Sequence, residues 1–161
     1  MHPLTSHDIR ASFINASKRE AALAASAARL DGVAWERLDI FGWTDPKNPL
    51  VTSVVIPVDD APVGILLRTS PTKPKKTMCA LCEDIIAVDN VRLFAARLAG
   101  APGRQGNTVG TLLHTDLSCT AHVRRAPNTM EGKADPEGFI ARRIGALQTN
   151  AERFARRVRS A

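Results

Sequence analysis

The sequence predicts an α+β fold with short N-terminal helices, a small antiparallel sheet and a C-terminal amphipathic helix. Three observations carry that prediction. Ser17 and Glu20 stand at capping-box spacing ahead of an alanine-rich run. Two β-branched runs, 51–56 and 63–68, flank the short connection Asp59-Asp60-Ala61-Pro62. Ile140, Ile144, Leu147, Ala151, Phe154 and Val158 recur at spacings of four and three.

In chain order, Ser6 is the expected cap of a first short helix that carries Ile9 and Phe13. The second helix follows Ser17, with Leu30 and Gly32 marking its end. Residues 38–41 read as a strand, and the two prolines of 45–49 as a loop. The runs 51–56 and 63–68 then form an antiparallel hairpin. Residues 70–76, Ser-Pro-Thr-Lys-Pro-Lys-Lys, are a basic, proline-containing linker. Beyond it, 85–88 and 91–96 read as short strands around a turn at Asp89-Asn90. Four glycines between 100 and 110 predict a tight, irregular loop, and 109–113 another strand. The polar stretch 124–134 reads as mobile. Asp135 caps the last helix, with Pro136 at its first position. The linker divides one 1–161 domain into a helical and hairpin part, 1–69, and a finger part with the C-terminal helix, 77–161.

A chain of 161 residues with 44% hydrophobic and 24% charged residues can build a real core. Its net charge of +6 favours a polyanionic neighbour such as RNA or the ribosome. No apolar run approaches the ~18–20 residues that span a bilayer, so no membrane partner is expected. Three cysteines cannot all pair within one chain, which argues for a reducing compartment, the cytoplasm, and for cysteine used on a metal.

Cys79-Ala80-Leu81-Cys82 is a CxxC, whose tight turn brings two thiolates to one tetrahedral ion. A redox pair would open a helix after a strand, whereas this motif follows a basic linker. The remaining ligands come from His114, Cys119 and His122. Cys119 with His122 repeats the two-residue gap and is slightly favoured by spacing alone. His114 with Cys119 leaves four residues between ligands, and His114 with His122 would leave Cys119 free. Ser118, Cys119, His114 and Asp116 include the residue types of a catalytic set, but the cysteine and histidine serve a metal better. The expectation is therefore a binding protein with no small-molecule substrate, not an enzyme. Gly103-Arg104-Gln105-Gly106 is a GxxG, read as a conformational turn ahead of a phosphate clamp.

The combination Met78-Cys79-x-x-Cys82, Gly103-Arg104-x-Gly106-Asn107-Thr108-Val109-Gly110-Thr111 and His114-x4-Cys119 resembles a known family. It is similar to the C-terminal treble-clef zinc-finger domain of the elongation factor G-binding proteins, whose members include fusidic acid resistance proteins. Phe41-Gly42-Trp43-x-Asp45-Pro46 and Val63-Gly64-Ile65-x-Leu67-Arg68 extend the resemblance over nearly the whole chain. The resemblance implies one structural Zn2+ on Cys79, Cys82, His114 and Cys119, leaving His122 outside the site. It also implies binding to elongation factor G and its release from the ribosome. Lys75, Lys76, Leu81, Arg104, Arg124 and Arg125 are the candidate partner contacts. The alternative expectation is a basic RNA- or ribosome-binding zinc module without a dedicated factor partner.

Overall fold

The computed structural model describes residues 1–73 and 76–159. One antiparallel sheet organises them, with strands in sequence order: β1 (Phe41–Asp45), β2 (Asn48–Val58), β3 (Ala61–Thr69), β4 (Val91–Arg97) and β5 (Thr108–His114). Strands from both sides of the 70–76 linker thus share one sheet, joined where Leu67, Arg68 and Thr69 pair with Ala96, Ala95 and Phe94.

The expected hairpin is present as β2–β3, with Val54 opposite Ile65 and Val58 opposite Ala61. Asp59 and Asp60 form its turn with φ of 50° and 62°. Two successive positive φ values match the twist of the flanking strands, and Asp tolerates them better than most residues. Residues 38–40 do not form a strand. Trp35–Arg37 is a 3-10 turn, and β1 starts at Phe41. The expected loop at 45–49 contracts to a tight turn, because Asp45 Oδ1 accepts the Lys47 and Asn48 N–H groups at 2.8 and 3.3 Å.

Helices α1 (Ser6–Ser12) and α2 (Lys18–Ala27) precede the sheet. Thr5 caps α1 one residue earlier than expected, in a reciprocal box with Asp8. Ser17 and Glu20 form the expected box on α2, which stops at Ala27, short of Leu30. Between the two helices the chain runs beside β3. Ile14 N–H donates to Gly64 O at 3.0 Å. Asn15 accepts Leu66 N–H on Oδ1 at 2.8 Å and donates to Leu66 O and Arg97 O, both at 3.0 Å. Asn15 therefore occupies the gap where β3 and β4 stop pairing. A side chain on Gly64 would collide with Ser12 Oγ and Phe13, which explains the glycine there.

Three short helices and one long one complete the chain: α3 (Gly100–Arg104), α4 (Cys119–Val123), α5 (Met130–Ala134) and α6 (Pro136–Arg159). The expected glycine loop thus contains a helix. Gly103 sits against Leu98 O so closely that no Cβ fits, which gives the first glycine of the GxxG a packing role. The polar stretch 124–134, expected to be mobile, is partly α5. Residues 85–88, expected to form a strand, lie outside the sheet. Asp135 Oδ1 accepts Gly138 N–H at 2.9 Å, so the expected cap of α6 is present. Leu147, Ala151, Phe154 and Val158 of α6 pack on Val54, Ile56, Val63, Ile65 and Leu67 in the main core. A smaller cluster around Ile9, Ala25, Trp35 and Phe41 lies under α1 and α2.

Asn15→Ala leaves the Leu66 N–H and two carbonyls without their partner in a buried gap. Its unfolding free energy should fall by about 2–4 kcal/mol in a denaturant titration, at unchanged zinc content. A loss below about 0.5 kcal/mol would show that the gap is not held by this side chain.

Candidate metal centre

Three separate elements deliver four donors to one point. The knuckle after the linker supplies Cys79 and Cys82, the end of β5 supplies His114, and the first residue of α4 supplies Cys119. All four are buried, and their donor atoms lie within 4.8 Å of one another. The knuckle is docked on β5 by Ala80 N–H donating to Leu112 O at 2.8 Å. It closes through Glu83 N–H on Cys79 O at 3.0 Å, with Glu83 at φ 51°.

The spacings match a tetrahedral zinc site. Cys79 Sγ and Cys119 Sγ are 3.6 Å apart. His114 Nδ1 is 3.6 Å from Cys82 Sγ and 3.7 Å from Cys119 Sγ. Ligands at about 2.3 Å (sulfur) and 2.0–2.1 Å (nitrogen) from zinc give tetrahedral edges of ~3.5–3.8 Å. His114 is already oriented for this role. Its Nε2 is 2.7 Å from Ala87 O, so Nε2 carries the proton and donates, leaving the Nδ1 lone pair facing the sulfurs.

The donors also perturb one another's protonation strongly. Hydrogen bonding with Cys119, then Cys82, drives the Cys79 thiol strongly down. Contact with Cys79 and Cys82, together with burial, drives the Cys119 thiol strongly up. Burial disfavours a charged His114, but hydrogen bonds to Cys79, Cys82 and the Ala87 carbonyl outweigh it and raise its pKa to about 10. A dication lets all three thiols bind as thiolates beside a neutral imidazole. The four protein donors fill a tetrahedron and leave no position for water, so the ion is structural.

His122 lies beside this set, not in it. Its ring meets that of His114 edge-on at a centroid distance of 4.3 Å, and its Nε2 is 3.1 Å from Ser118 Oγ. The Ser118 hydroxyl donates to Asp116 Oδ1 at 2.6 Å. The order Asp–Ser–His puts the serine, not the histidine, in the middle, which is no arrangement for activating a nucleophile.

Sequence reasoning missed Asp84. Its carboxylate is 2% exposed and receives Arg125 at 3.3 Å, Arg143 at 3.2 Å and Ala87 N–H at 2.7 Å. Burial raises its pKa, but the Ala87 N–H, Arg125, His122 and Arg143 outweigh this and lower it. Asp84 thereby pins the knuckle to α6 and to the end of α4.

The candidate partner residues divide sharply. Lys75 falls outside the described residues. Lys76 is exposed and 3.4 Å from Asp89. Leu81 is 1% exposed and belongs to the main core, so it offers no surface to a partner. Arg124 pairs with the buried Asp39, which also accepts Gln148 Nε2 at 3.0 Å. Arg125 serves Asp84. Of the three arginines, Arg104 alone is exposed.

A CxxC knuckle closed by a histidine at a strand end and a cysteine opening a short helix defines a structural zinc finger on an α+β scaffold. The chain belongs to the FBP C-terminal treble-clef zinc-finger family, whose match spans residues 8–158. That is a zinc-finger domain family. One structural zinc ion fits its buried Cys3His cluster. No curated protein and no solved structure matches the chain. Among the described residues, no helix is long and apolar enough to cross a membrane.

His114→Ala should lose stoichiometric zinc and lower the thermal midpoint by about 10 °C or more. His122→Ala should keep one zinc per chain and lose no more than about 1 kcal/mol. Elemental analysis with thermal melts checks the pair, and the reverse ranking would move the fourth ligand to His122.

Proposed function

We propose that this protein binds elongation factor G in the cytoplasm and favours release of that factor from the ribosome. The observation that carries the reading is the family match over residues 8–158, which runs through both halves of the sheet and not the knuckle alone. The sequence resemblance to elongation factor G-binding proteins supplies the partner. The closed donor set supports binding over catalysis, since a filled tetrahedron leaves nothing for a substrate to coordinate.

The surface beside the knuckle suits a protein partner. Ile85 is 73% and Ile86 48% exposed, immediately after the Asp84 anchor. They border a groove of about 220 Å³ whose far wall includes Pro127 and Phe139. Arginines around it already answer carboxylates: Arg125 and Arg143 hold Asp84, and Arg142 holds Glu131 and Asp135. An apolar ridge with its cations internally paired favours desolvated side-chain contact over contact with a phosphate backbone. Binding of this kind frees the factor only if it prefers the dissociated state, because a ligand shifts an equilibrium by its differential affinity.

Pull-down from cell extract should retain elongation factor G with or without nuclease. Ile85→Asp combined with Ile86→Asp should weaken capture of the purified factor at least about tenfold without loss of zinc. Retention that disappears with nuclease would replace this reading with an RNA-bridged one.

A further inference from the structure

Some cations of this chain are matched to carboxylates and others are not, and one group of the unmatched ones marks a surface that the zinc site does not use. Around the knuckle and the first half of α6, arginines are matched to buried or nearby carboxylates. At the other end of α6 Arg156 meets Asp59 and Glu152, whereas Arg153 and Arg157 meet no carboxylate among the described residues. Arg104, Arg153, Arg157, Lys18 and Arg19 are exposed, and none has a carboxylate partner among the described residues.

The fold gathers these residues. Ala99 N–H donates to Val158 O at 2.8 Å, which sets the start of α3 against the last turn of α6. Asn150 Nδ2 donates to Leu81 O at 3.2 Å, so the flank of α6 carrying Asn150, Arg153 and Arg157 is turned toward the knuckle and β5. Arg104 also lines a cleft of about 270 Å³ between α3 and the start of α2. It is lined by Asn15, Ser17, Arg97, Leu98, Gly103 and Arg104 among others, with no carboxylate in the lining. Lys18 and Arg19 follow Ser17 directly at its edge. Glu20, one residue beyond Arg19, is engaged by Arg97 at 2.7 Å and Arg68 at 3.2 Å.

We propose that the surface running from Arg153 and Arg157 across Arg104 to Lys18 and Arg19 binds the phosphate backbone of RNA. Its cations are unneutralised, and none of the large exposed apolar side chains lies in the cleft lining. A protein interface would need such an anchor, whereas a phosphate backbone needs only positioned charge. The chain has two Trp, five Phe and no Tyr, and Trp35 and Phe41 are buried together in the smaller core. Without aromatic platforms on this surface, contact is with the backbone and independent of base sequence. The site is separate from the apolar ridge beside the knuckle and holds whether or not elongation factor G is the protein partner.

The test uses the zinc-loaded full chain and a fluorescein-labelled, mixed-sequence 16-nucleotide RNA, about the length such a groove spans, followed by anisotropy across a salt series. Wild type should bind with a steep salt dependence. Arg104→Gln combined with Arg157→Gln should make the slope of log K against log salt shallower by about 1.4, near 0.7 for each phosphate that is no longer neutralised. The charge-matched pair Lys47→Gln and Lys133→Gln, from the β1–β2 turn and α5, should leave the slope unchanged. Zinc content and thermal midpoint, unchanged in both variants, exclude a folding effect. Absence of RNA binding, or equal weakening in the two variant pairs, would overturn the proposal. Binding to a poly-glutamate peptide as tight and as salt-dependent as to RNA would also overturn it, and would assign the surface to an acidic protein.

Discussion

Convergence of three thiols and one imidazole on a single ion is the constraint on which the C-terminal half depends. The knuckle, the end of β5 and the start of α4 also meet through the Ala80–Leu112 hydrogen bond and the shared apolar core, and the ion ties all three at one point. His114 and Cys119 are 5 positions apart in the chain, and Cys82 and His114 are 32 apart. Structural zinc contributes about 10–16 kcal/mol in small finger domains, comparable to the ~5–15 kcal/mol net stability of a whole domain. The ion is therefore of the same size as the entire margin by which such a fold survives. Around it, the sheet and α6 supply an apolar wall, and the Ala87 carbonyl fixes which imidazole nitrogen is free to bind.

Two buried carboxylates extend that control outward. Asp84 holds the knuckle against α6 through Arg125 and Arg143, and Asp39 holds the entry to β1 against α4 through Arg124. Each is a buried charge with more than one donor, the condition under which burial of an ion pair is tolerated. They orient surfaces as well as stabilise them. With Asp84 fixed, the following Ile85 and Ile86 are held out toward solvent, and the arginines that would otherwise make this face basic are neutralised. Exposed cations with no carboxylate partner among the described residues include Arg104 on α3 and Arg153 and Arg157 near the end of α6. The net charge of +6 therefore leaves the face beside the knuckle with its arginines matched to carboxylates, which composition does not reveal.

What was legible in the sequence was the part governed by rigid local rules. Ligand spacing, the Ser17–Glu20 box, the Asp59-Asp60 hairpin and the Asp135-Pro136 helix start each depend on a few neighbouring residues. The choice of His114 over His122 came from family resemblance, since gap length alone leaned the other way. The structure brings Nδ1 of His114 to the sulfurs because β5 ends there. Long-range pairings left no local trace. Arg124 and Arg125 looked like surface cations, yet their carboxylates lie 85 and 41 residues away. The apolar run 85–88 looked like a strand, but it follows a left-handed Glu83 and a pinned Asp84 that carry the chain away from the sheet edge. The glycines around α3 looked like loop formers, whereas Gly103 is required by contact with Leu98 O.

X-ray absorption at the zinc edge on freshly purified, reduced protein reads the coordination sphere directly. The expected result is one zinc per chain with three sulfurs at about 2.3 Å and one imidazole nitrogen at about 2.0–2.1 Å. A shell of two sulfurs and two nitrogens, or a folded protein with no stoichiometric metal, would contradict it.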